Sequence, residues 1–306
     1  MLHNEPELFE QLILRTSDYL GIKAEIIEKD YYVTMFLKEL VQISPNIIFK
    51  GGTSLSKCYH MINRFSEDID LNIETETKPS EGKRKQLKRD IVSVIEKFGF
   101  SLNNPENVKS RRDYNRYIID YPSILGASYL KEKLIVETAI YQRAYPITRM
   151  KAGSFIYDYL SKNGFYDFIE RYALFPFELN VQTVERTMVD KLFALADYYL
   201  AGMITEHSRH IYDIYKLYSV VTIDDILKDL VIQVANERRP HNRCLSVQEG
   251  VNFKNTLLEI ITKQVYRADY ENITESLLFE PISYDTAIEV LMKISESDLF
   301  DDLSVE

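Results

Sequence analysis

A glycine pair followed by two closely spaced aspartates constrains the fold of this chain more than any other feature. The apolar run at 47–49 ends at Gly51 and Gly52, which are typical of a tight turn. Further along, the segment 68–73 alternates Asp or Asn with Ile or Leu, which is the period of a half-buried strand. The pattern therefore predicts a strand, a glycine turn, a short helix and a second strand, in that order.

The residue types in this segment suit a phosphate and a cation. Glycine amides and the Thr53 and Ser54 hydroxyls at a helix start form an anion site. Asp68 and Asp70 lie at positions i and i+2, so a strand would place both carboxylates on one face. Two neighbouring carboxylates repel each other unless a cation lies between them, and Mg²⁺ usually shares its oxygen ligands with substrate phosphates. We therefore expect a metal–nucleotide site, with two acids on a solvated edge strand as the alternative.

Apolar periodicity predicts an α+β architecture for the chain as a whole. Helices are expected at 6–23, 25–42, 54–63 and 80–98, strands at 114–121 and 133–141, and further helices at 184–200, 206–219, 223–237, 248–268 and 284–297. The sequence thus divides into a domain with strands and helices at 1–150 and a mainly helical domain at 151–306. We expect the second domain to contribute to the active-site cleft.

Composition excludes several classes of protein. Of the 306 residues only two are cysteines, Cys58 and Cys244, so neither a zinc site nor a disulfide framework is expected. No apolar run approaches the ~20 residues of a membrane span, and the first residues are too polar for a signal peptide. We therefore expect a cytoplasmic protein without membrane contact. The net charge of −10 argues against a general nucleic-acid binder but allows a local basic groove.

The glycine and aspartate segment resembles the signature of DNA-polymerase-β-like nucleotidyltransferases. Its longer string, KGGTSLSK followed by RFSEDIDL, is more closely similar to the AbiEii/AbiGii toxins of bacterial toxin–antitoxin systems. Three further stretches resemble motifs of that family: EKDYY at 28–32, TMVDKLFAL at 187–195 and RHIYDIYKL at 209–217. The resemblance spans about residues 25–220 and implies a nucleotidyltransferase-like mixed sheet with helices.

The resemblance also implies a metal site that transfers a nucleoside monophosphate from an NTP. Asp68 and Asp70 would hold Mg²⁺ or Mn²⁺ together with the triphosphate. A third carboxylate on a neighbouring strand would complete the site and act as the base for the attacking hydroxyl. Glu137 is the candidate and Asp120 is the alternative, while Glu137 could instead be a surface residue on an edge strand.

The glycine turn is expected to bind the nucleotide. The residues that would contact the β- and γ-phosphates are Gly51, Gly52, Thr53 and Ser54. Lys57 lies one helical turn beyond Ser54 and would reach the same phosphates, unless it is a solvated helix lysine. Arg209, in the last of the matching motifs, is a further nucleotide-binding candidate.

Lys191 and Asp213 belong to active-site motifs by resemblance and are expected to take part in catalysis. Lys191 lies among apolar residues, and burying an unpaired ammonium costs on the order of several kcal/mol. It should therefore face a cleft and neutralise phosphate charge there. Arg209, Asp213 and Lys216 share one helix face, and the alternative reading is a ladder of salt bridges worth roughly a few tenths of a kcal/mol.

Other charged residues have weaker implications. Lys29 and Asp30 interrupt an apolar helix and are more simply explained as an anchor of that helix. Two basic clusters suit RNA backbone contacts, and the second also offers tyrosines for base stacking, although a basic run is usually only solvated. They are Lys83, Arg84, Lys85, Lys88 and Arg89, and then Lys109, Arg111, Arg112 and Arg116 with Tyr114 and Tyr117.

The resemblance implies the toxin of a type IV-like toxin–antitoxin or abortive-infection system. Such a toxin would have a cognate protein antitoxin and an RNA acceptor, such as a tRNA 3′ end. The acidic total charge leaves a protein hydroxyl open as the acceptor. Two other functions are a non-catalytic nucleotide- or partner-binding regulator of the same fold and a metal-dependent nuclease. A nuclease needs no triphosphate-binding turn, so the glycine pair favours transfer.

Overall fold

The computed structural model describes residues 1–66, 68–75, 79–126 and 133–303. Two compact units divide the chain. The sheet unit contains Met1–His60 and Ser66–Gln182, and the helical unit contains Met61–Phe65 and Thr183–Glu306. Within the described residues, no helix is long and apolar enough to cross a membrane.

The sheet unit is built on one mixed sheet. Its described strands are β1 (Ile47–Lys50), β2 (Asp68–Ile73), β3 (Ser101–Leu102), β4 (Tyr114–Asp120), β5 (Lys133–Ala139), β6 (Ile147–Ala152) and β7 (Phe177–Gln182). Their spatial order is β3-β4-β5-β2-β1-β7-β6. β2 is parallel to β5 and β1 is parallel to β7, while the other neighbouring strands are antiparallel. The expected α+β class with a mixed sheet is confirmed.

Helices pack on one face of this sheet. The described helices of the unit are α1 (Pro6–Leu20), α2 (Ala24–Ile43), α3 (Gly51–Lys57), α4 (Glu81–Lys97), α5 (Phe155–Lys162) and α6 (Tyr166–Arg171), with short 3-10 helices at Leu2–Asn4 and Pro105–Asn107. Ile69 and Leu71 on β2, and Leu134 and Val136 on β5, are buried in one core with residues of α1, α2 and α4. Because side chains alternate along a strand, the residues between them lie on the opposite face. The residues on that opposite face at the start of β2 and along β5 are half-buried.

The glycine pair begins α3 directly. Lys50 is extended, and Gly51 has a φ of 77°, which is the left-handed region that only glycine adopts without strain. The chain therefore reverses at a single residue and enters the helix at once. The prediction of a helix at 54–63 placed its start three residues late and its end six residues late, since α3 runs from Gly51 to Lys57.

The sheet unit extends beyond the domain boundary that was expected at residue 150. β6 pairs antiparallel with β7, and β7 pairs parallel with β1 through Phe49 and Val181. These strands belong to the same sheet as the glycine turn, so the first unit continues to Gln182. The aromatic segment 152–182 gave no clear periodicity, and for that reason the sequence reading did not include β7.

Helices make up nearly all the regular structure of the helical unit. Those described are α7 (Val184–Leu200), α8 (Arg209–Tyr218), α9 (Asp225–Arg238), α10 (Phe253–Thr262), α11 (Arg267–Asp269), α12 (Glu275–Leu277) and α13 (Tyr284–Glu296), with 3-10 helices at Leu245–Val247 and Asp301–Leu303 and a π-helix at Tyr270–Thr274. The Thr183 side chain accepts a hydrogen bond from the Arg186 amide and caps α7. The helix expected at 248–268 is shorter, because Asn252 caps α10 and the helix ends at Thr262.

A short segment from the first half of the chain belongs to the helical unit. Residues 61–65 pair with the segment that follows α12. The Phe65 amide donates to the Leu277 carbonyl at 2.9 Å, and the Phe279 amide donates to the Asn63 carbonyl at 2.8 Å. Arg64, between them, is buried.

Candidate active site

Three acids lie on one face of adjacent strands in the sheet unit. In the parallel pair β2 and β5, Asp70 lies opposite Glu137 and Asp68 lies opposite Ile135. Partner residues of paired strands project from the same face, and so do residues two apart on one strand. Asp68, Asp70 and Glu137 therefore share a face, opposite the helix-covered core. All three are half-buried.

Asp70 also lies directly against the glycine turn. Lys50 is its partner on β1, so Gly51 follows immediately. A Cβ atom built on Gly51 would lie 2.0 Å from Oδ2 of Asp70, which is far closer than any real contact. The carboxylate thus occupies the space that a side chain at position 51 would need. The expected proximity of the aspartate pair and the glycine turn is present in the sheet unit.

The acid–base equilibrium of Glu137 is perturbed by its surroundings. Burial, and then the negative charges of Asp70 and Asp68, raise the pKa of Glu137 to about 6. A hydrogen bond from the Tyr114 hydroxyl and the Arg116 guanidinium oppose this rise. Arg116 Nε lies 3.3 Å from Glu137 Oε1. Three carboxylates that repel one another in this way favour a bound cation between them.

The donor set fits a magnesium or manganese ion in its chemistry. Carboxylate oxygens are the ligands that Mg²⁺ prefers, and Asp68, Asp70 and Glu137 supply them from neighbouring strand positions. Across the described residues, no group of three acid, His or Cys side chains is already arranged to hold a metal ion. Arg116 and Tyr114 contact Glu137 instead, so this carboxylate would exchange the Arg116 contact for the ion.

The hydroxyls beside the glycine pair bond within the protein. Ser54 Oγ donates to the Gly51 carbonyl at 2.8 Å, and Thr53 Oγ1 lies 2.9 Å from Ser66 Oγ. Both side chains are buried. They stabilise the start of α3, and contact with a nucleotide would fall mainly to the backbone of Gly51 and Gly52.

A second cluster of expected site residues lies inside the helical unit. Asp213 is fully buried on α8. Arg64 donates two hydrogen bonds to it, from Nε to Oδ1 and from Nη2 to Oδ2, both at 2.7 Å. Lys191 Nζ donates to Asp213 Oδ2 at 2.6 Å. One carboxylate therefore joins two cations, from α7 and from the segment 61–65.

The electrostatics of this cluster explain how Lys191 is buried. Burial would raise the pKa of Asp213, but the charges of Arg64 and Lys191 hold it below its ordinary value. Burial lowers the pKa of Lys191, and the charge of Asp213 opposes this. We expected Lys191 to face a cleft, because an unpaired ammonium is costly to bury. In the structure Lys191 is buried, and its charge is paired with Asp213. Its side chain is 7% exposed and is paired with a carboxylate that the sequence alone did not identify as its partner.

The comparisons with known proteins assign the family. The family model described as nucleotidyl transferase AbiEii toxin, type IV TA system, matches residues 36–290. The chain belongs to the AbiEii family. A search among curated proteins finds no match. Membership makes the chain a nucleotidyltransferase and a toxin of the type IV toxin–antitoxin class, which implies a nucleotide substrate and a protein antitoxin.

The residues matched by the AbiEii model include the glycine turn, the three acids, and Asp213 with its partners Arg64 and Lys191. Lys57 also lies within the match, but its role differs from the expected phosphate contact. Lys57 is buried and forms an ion pair with Oδ1 of Asp30 on α2. Its Nζ also donates to Thr34 Oγ1 at 2.6 Å. The other carboxylate oxygen of Asp30 accepts from the Phe155 amide at 2.9 Å. Lys57 thus anchors α3 to α2, and Asp30 has the structural role that the sequence favoured.

The remaining candidates of this AbiEii chain occupy distinct places. Asp120, the alternative third acid, accepts a hydrogen bond from Asn103 and lies 3.9 Å from Lys133, at the far end of β4 from Tyr114. Arg209 is the first residue of α8 and is half-buried. Burial lowers the pKa of Lys191 and of His210, and the charge of Arg209 adds to this. The alternative reading of α8 was a ladder of salt bridges among Arg209, Asp213 and Lys216. In the described ion pairs, the partners of Asp213 are Arg64 and Lys191.

Two contacts of expected site residues were not identified from the sequence. Arg64 was read only as part of a motif string, although it is the bidentate partner of Asp213. Arg116 and Tyr114 were read as an RNA-binding cluster, and their contact with Glu137 depends on the register of β4 and β5. Local periodicity cannot identify Asp213 as the partner of Arg64, because the two residues are 149 positions apart. It cannot give the register of two strands either.

Proposed function

We propose that this AbiEii-family enzyme transfers a nucleoside monophosphate from an NTP, bound with Mg²⁺ or Mn²⁺, to a hydroxyl at the 3′ end of an RNA, with tRNA as the expected class. The observation that supports this is the placement of Asp68, Asp70 and Glu137 on one sheet face, with Asp70 against Gly51. The carboxylates that would hold a cation therefore lie next to the glycine turn, where the backbone can approach a phosphate closely.

The reaction is an in-line displacement at the α-phosphorus. The acceptor oxygen forms a bond to that phosphorus, the bond to the bridging oxygen breaks, and pyrophosphate leaves. Asp68, Asp70 and Glu137 would hold a divalent cation, which would neutralise charge at the phosphate oxygens. In this proposal Glu137 accepts the proton of the attacking hydroxyl, because its carboxylate lies beside Asp70 in the register of β2 and β5.

The protein groups around the nucleotide have separate roles in this proposal. Gly51 and Gly52 let the backbone approach the triphosphate, and Thr53 and Ser54 fix the start of α3 through their internal hydrogen bonds. Lys191 and Asp213 have a structural role within the helical unit, because their charges satisfy each other and Arg64.

Incubation of the protein with Mg²⁺, each α-labelled NTP, and total cellular RNA and protein tests the proposal. We expect label on RNA, and its loss in Asp68→Asn. Label on protein instead would move the acceptor to a protein hydroxyl. Shortened RNA without label would favour a nuclease, and unchanged toxicity of Asp70→Ala in cells would favour a non-catalytic regulator.

A further inference from the structure

Charge is strongly segregated along this acidic chain. Residues 81–116 contain ten Lys or Arg and five Asp or Glu, whereas the whole chain contains 37 and 47. The segment is therefore net positive in a protein whose net charge is −10. A local basic surface of this kind attracts polyanions, even when the total charge repels them.

The structure joins the two basic clusters of this segment into one surface. Arg84 Nη1, near the start of α4, lies 2.7 Å from Asp113 Oδ1 in the segment before β4. Arg111 Nε lies 3.1 Å from Glu81 Oε1, and Lys88 Nζ donates to the Val108 carbonyl at 2.6 Å. The start of α4 and the segment 108–113 are thus held together.

Most cations on this surface are not neutralised by carboxylates. We define the basic surface by six of them: Lys83, Lys85, Lys88, Arg89, Lys109 and Arg112. In the part of the chain that the structure describes, none of the six forms an ion pair. Five of them are exposed, and Lys88 is half-buried. These cations remain available for phosphate groups.

The basic surface continues along the chain to the acids. Two residues after Arg112, β4 begins with Tyr114, and Tyr114 and Arg116 lie on the same strand face. Arg116 is the register partner of Glu137, and the Tyr114 hydroxyl is hydrogen-bonded to that carboxylate. Tyr114 is 37% exposed. An exposed ring and a guanidinium next to a catalytic acid suit the last bases of a single strand, because bases stack on aromatic rings.

We propose that the basic surface binds the phosphate backbone of a single-stranded RNA acceptor, whose terminal base stacks on Tyr114 and whose 3′ hydroxyl reaches Glu137. This inference rests on the proposed nucleotidyl transfer. It assigns the acceptor to the end of the sheet where β4 begins, and it leaves the glycine turn to the nucleotide. Tyr117, which the sequence grouped with Tyr114, is buried and takes no part.

A triple variant tests the surface without touching the acids. Lys83→Gln, Lys85→Gln and Lys109→Gln together remove three exposed charges. Binding of a fluorescent single-stranded RNA, measured by anisotropy at two salt concentrations, should weaken about tenfold or more at low salt. The slope of log Kd against log salt should become shallower by about 2, since each lost phosphate contact contributes about 0.7–0.9. Tyr114→Ala should also weaken RNA binding, about 5- to 100-fold.

A matched control removes the same charge elsewhere in the sheet unit. Arg149→Gln, Lys151→Gln and Lys162→Gln are also at exposed positions. The control should bind RNA within about twofold of the wild type, and both triple variants should bind an NTP analogue as the wild type does. Circular dichroism of each variant verifies the fold.

The outcomes separate this inference from the proposed function. RNA binding that is unchanged in the basic triple variant, while transfer still requires Asp70, overturns the surface assignment alone. An equal loss of RNA affinity in the two triple variants also overturns it, because binding would then depend on the total charge of the protein and not on the basic surface. A wild-type protein that neither binds RNA nor transfers label to any acceptor overturns both proposals. Equal affinity for DNA and RNA would still support the surface.

Discussion

At the scale of single residues, the repulsion among the three acids should be visible in stability. The pKa of Glu137 is raised from 4.5 to about 6 in the folded, metal-free protein. The folded state is therefore favoured below pH 4.5, and this contribution is lost as pH rises through 6. A rise of this size corresponds to at most about 2 kcal/mol.

Glu137→Gln should consequently stabilise the metal-free protein at pH 7.5 by roughly 1–2 kcal/mol, while abolishing transfer. The gain should vanish near pH 4.5. Urea denaturation in the presence of a chelator at both pH values measures this. Glu178→Gln, at an exposed acid on β7, is the control and should show no such difference. A Glu137→Gln protein that is less stable than the wild type at pH 7.5 would contradict the electrostatic account.

Gly51 gives a second residue-scale prediction. Alanine at this position combines a φ of 77° with a Cβ placed 2.0 Å from Asp70 Oδ2, so it must displace the carboxylate. We expect Gly51→Ala to lose transfer almost completely and to lower stability by more than about 1 kcal/mol. Gly99→Ala is the matched control, because its φ is 67° and no atom lies within 4 Å of the added Cβ. Equal transfer activity in the two variants would show that the Gly51–Asp70 approach is unimportant.

At the scale of elements, the Asp213 cluster joins α7, α8 and the segment 61–65 within the helical unit. Asp213→Asn would remove the buried charge that pairs with both Arg64 and Lys191. We expect a loss of about 3–5 kcal/mol in stability, because breaking a buried ion pair exposes neither charge to water. Differential scanning calorimetry measures it, and Asp213→Asn with Lys191→Met should recover part of the loss. An unchanged melting temperature with lost transfer would instead make Asp213 a catalytic residue.

Elements with a clear period were predictable from the sequence. The alternation at 68–73 identified β2 and the shared face of its aspartates, and α2, α4, α7 and α13 were placed within about two residues. β6 and β7 were not predicted, because their segment shows no period of two that is longer than a few residues. Long-range partners were also out of reach, since nothing local relates Lys57 to Asp30 or Arg64 to Asp213.

The site was predictable to the extent that it depends on local sequence. Asp68, Asp70 and Gly51 follow from one motif, and Glu137 was chosen because it lies on a neighbouring strand. Its exact opposition to Asp70 depends on the β2–β5 register, which tertiary packing decides. Lys57 and Lys191 were assigned to phosphate because the carboxylates that pair with them are distant in sequence.

At the scale of the whole molecule, the helical unit contains residues from two separate parts of the chain. A fragment of residues 183–306 would lack Arg64 and the backbone pairing of 61–65 with 277–279. We expect this fragment to unfold at a lower temperature and less cooperatively than the full chain, as followed by circular dichroism. A fragment with a sharp transition at the melting temperature of the full chain would show that the 61–65 segment contributes little.

The position of the label in the nucleotide tests the central claim most directly. NTP labelled at the α- or the γ-phosphorus is incubated with Mg²⁺, RNA and the wild type, Asp70→Asn or Asp120→Asn. We predict that RNA acquires the α-label but not the γ-label, that Asp70→Asn lowers the rate at least about a hundredfold, and that Asp120→Asn transfers normally. Acquisition of the γ-label, or full activity in Asp70→Asn, would contradict nucleotidyl transfer at the three acids.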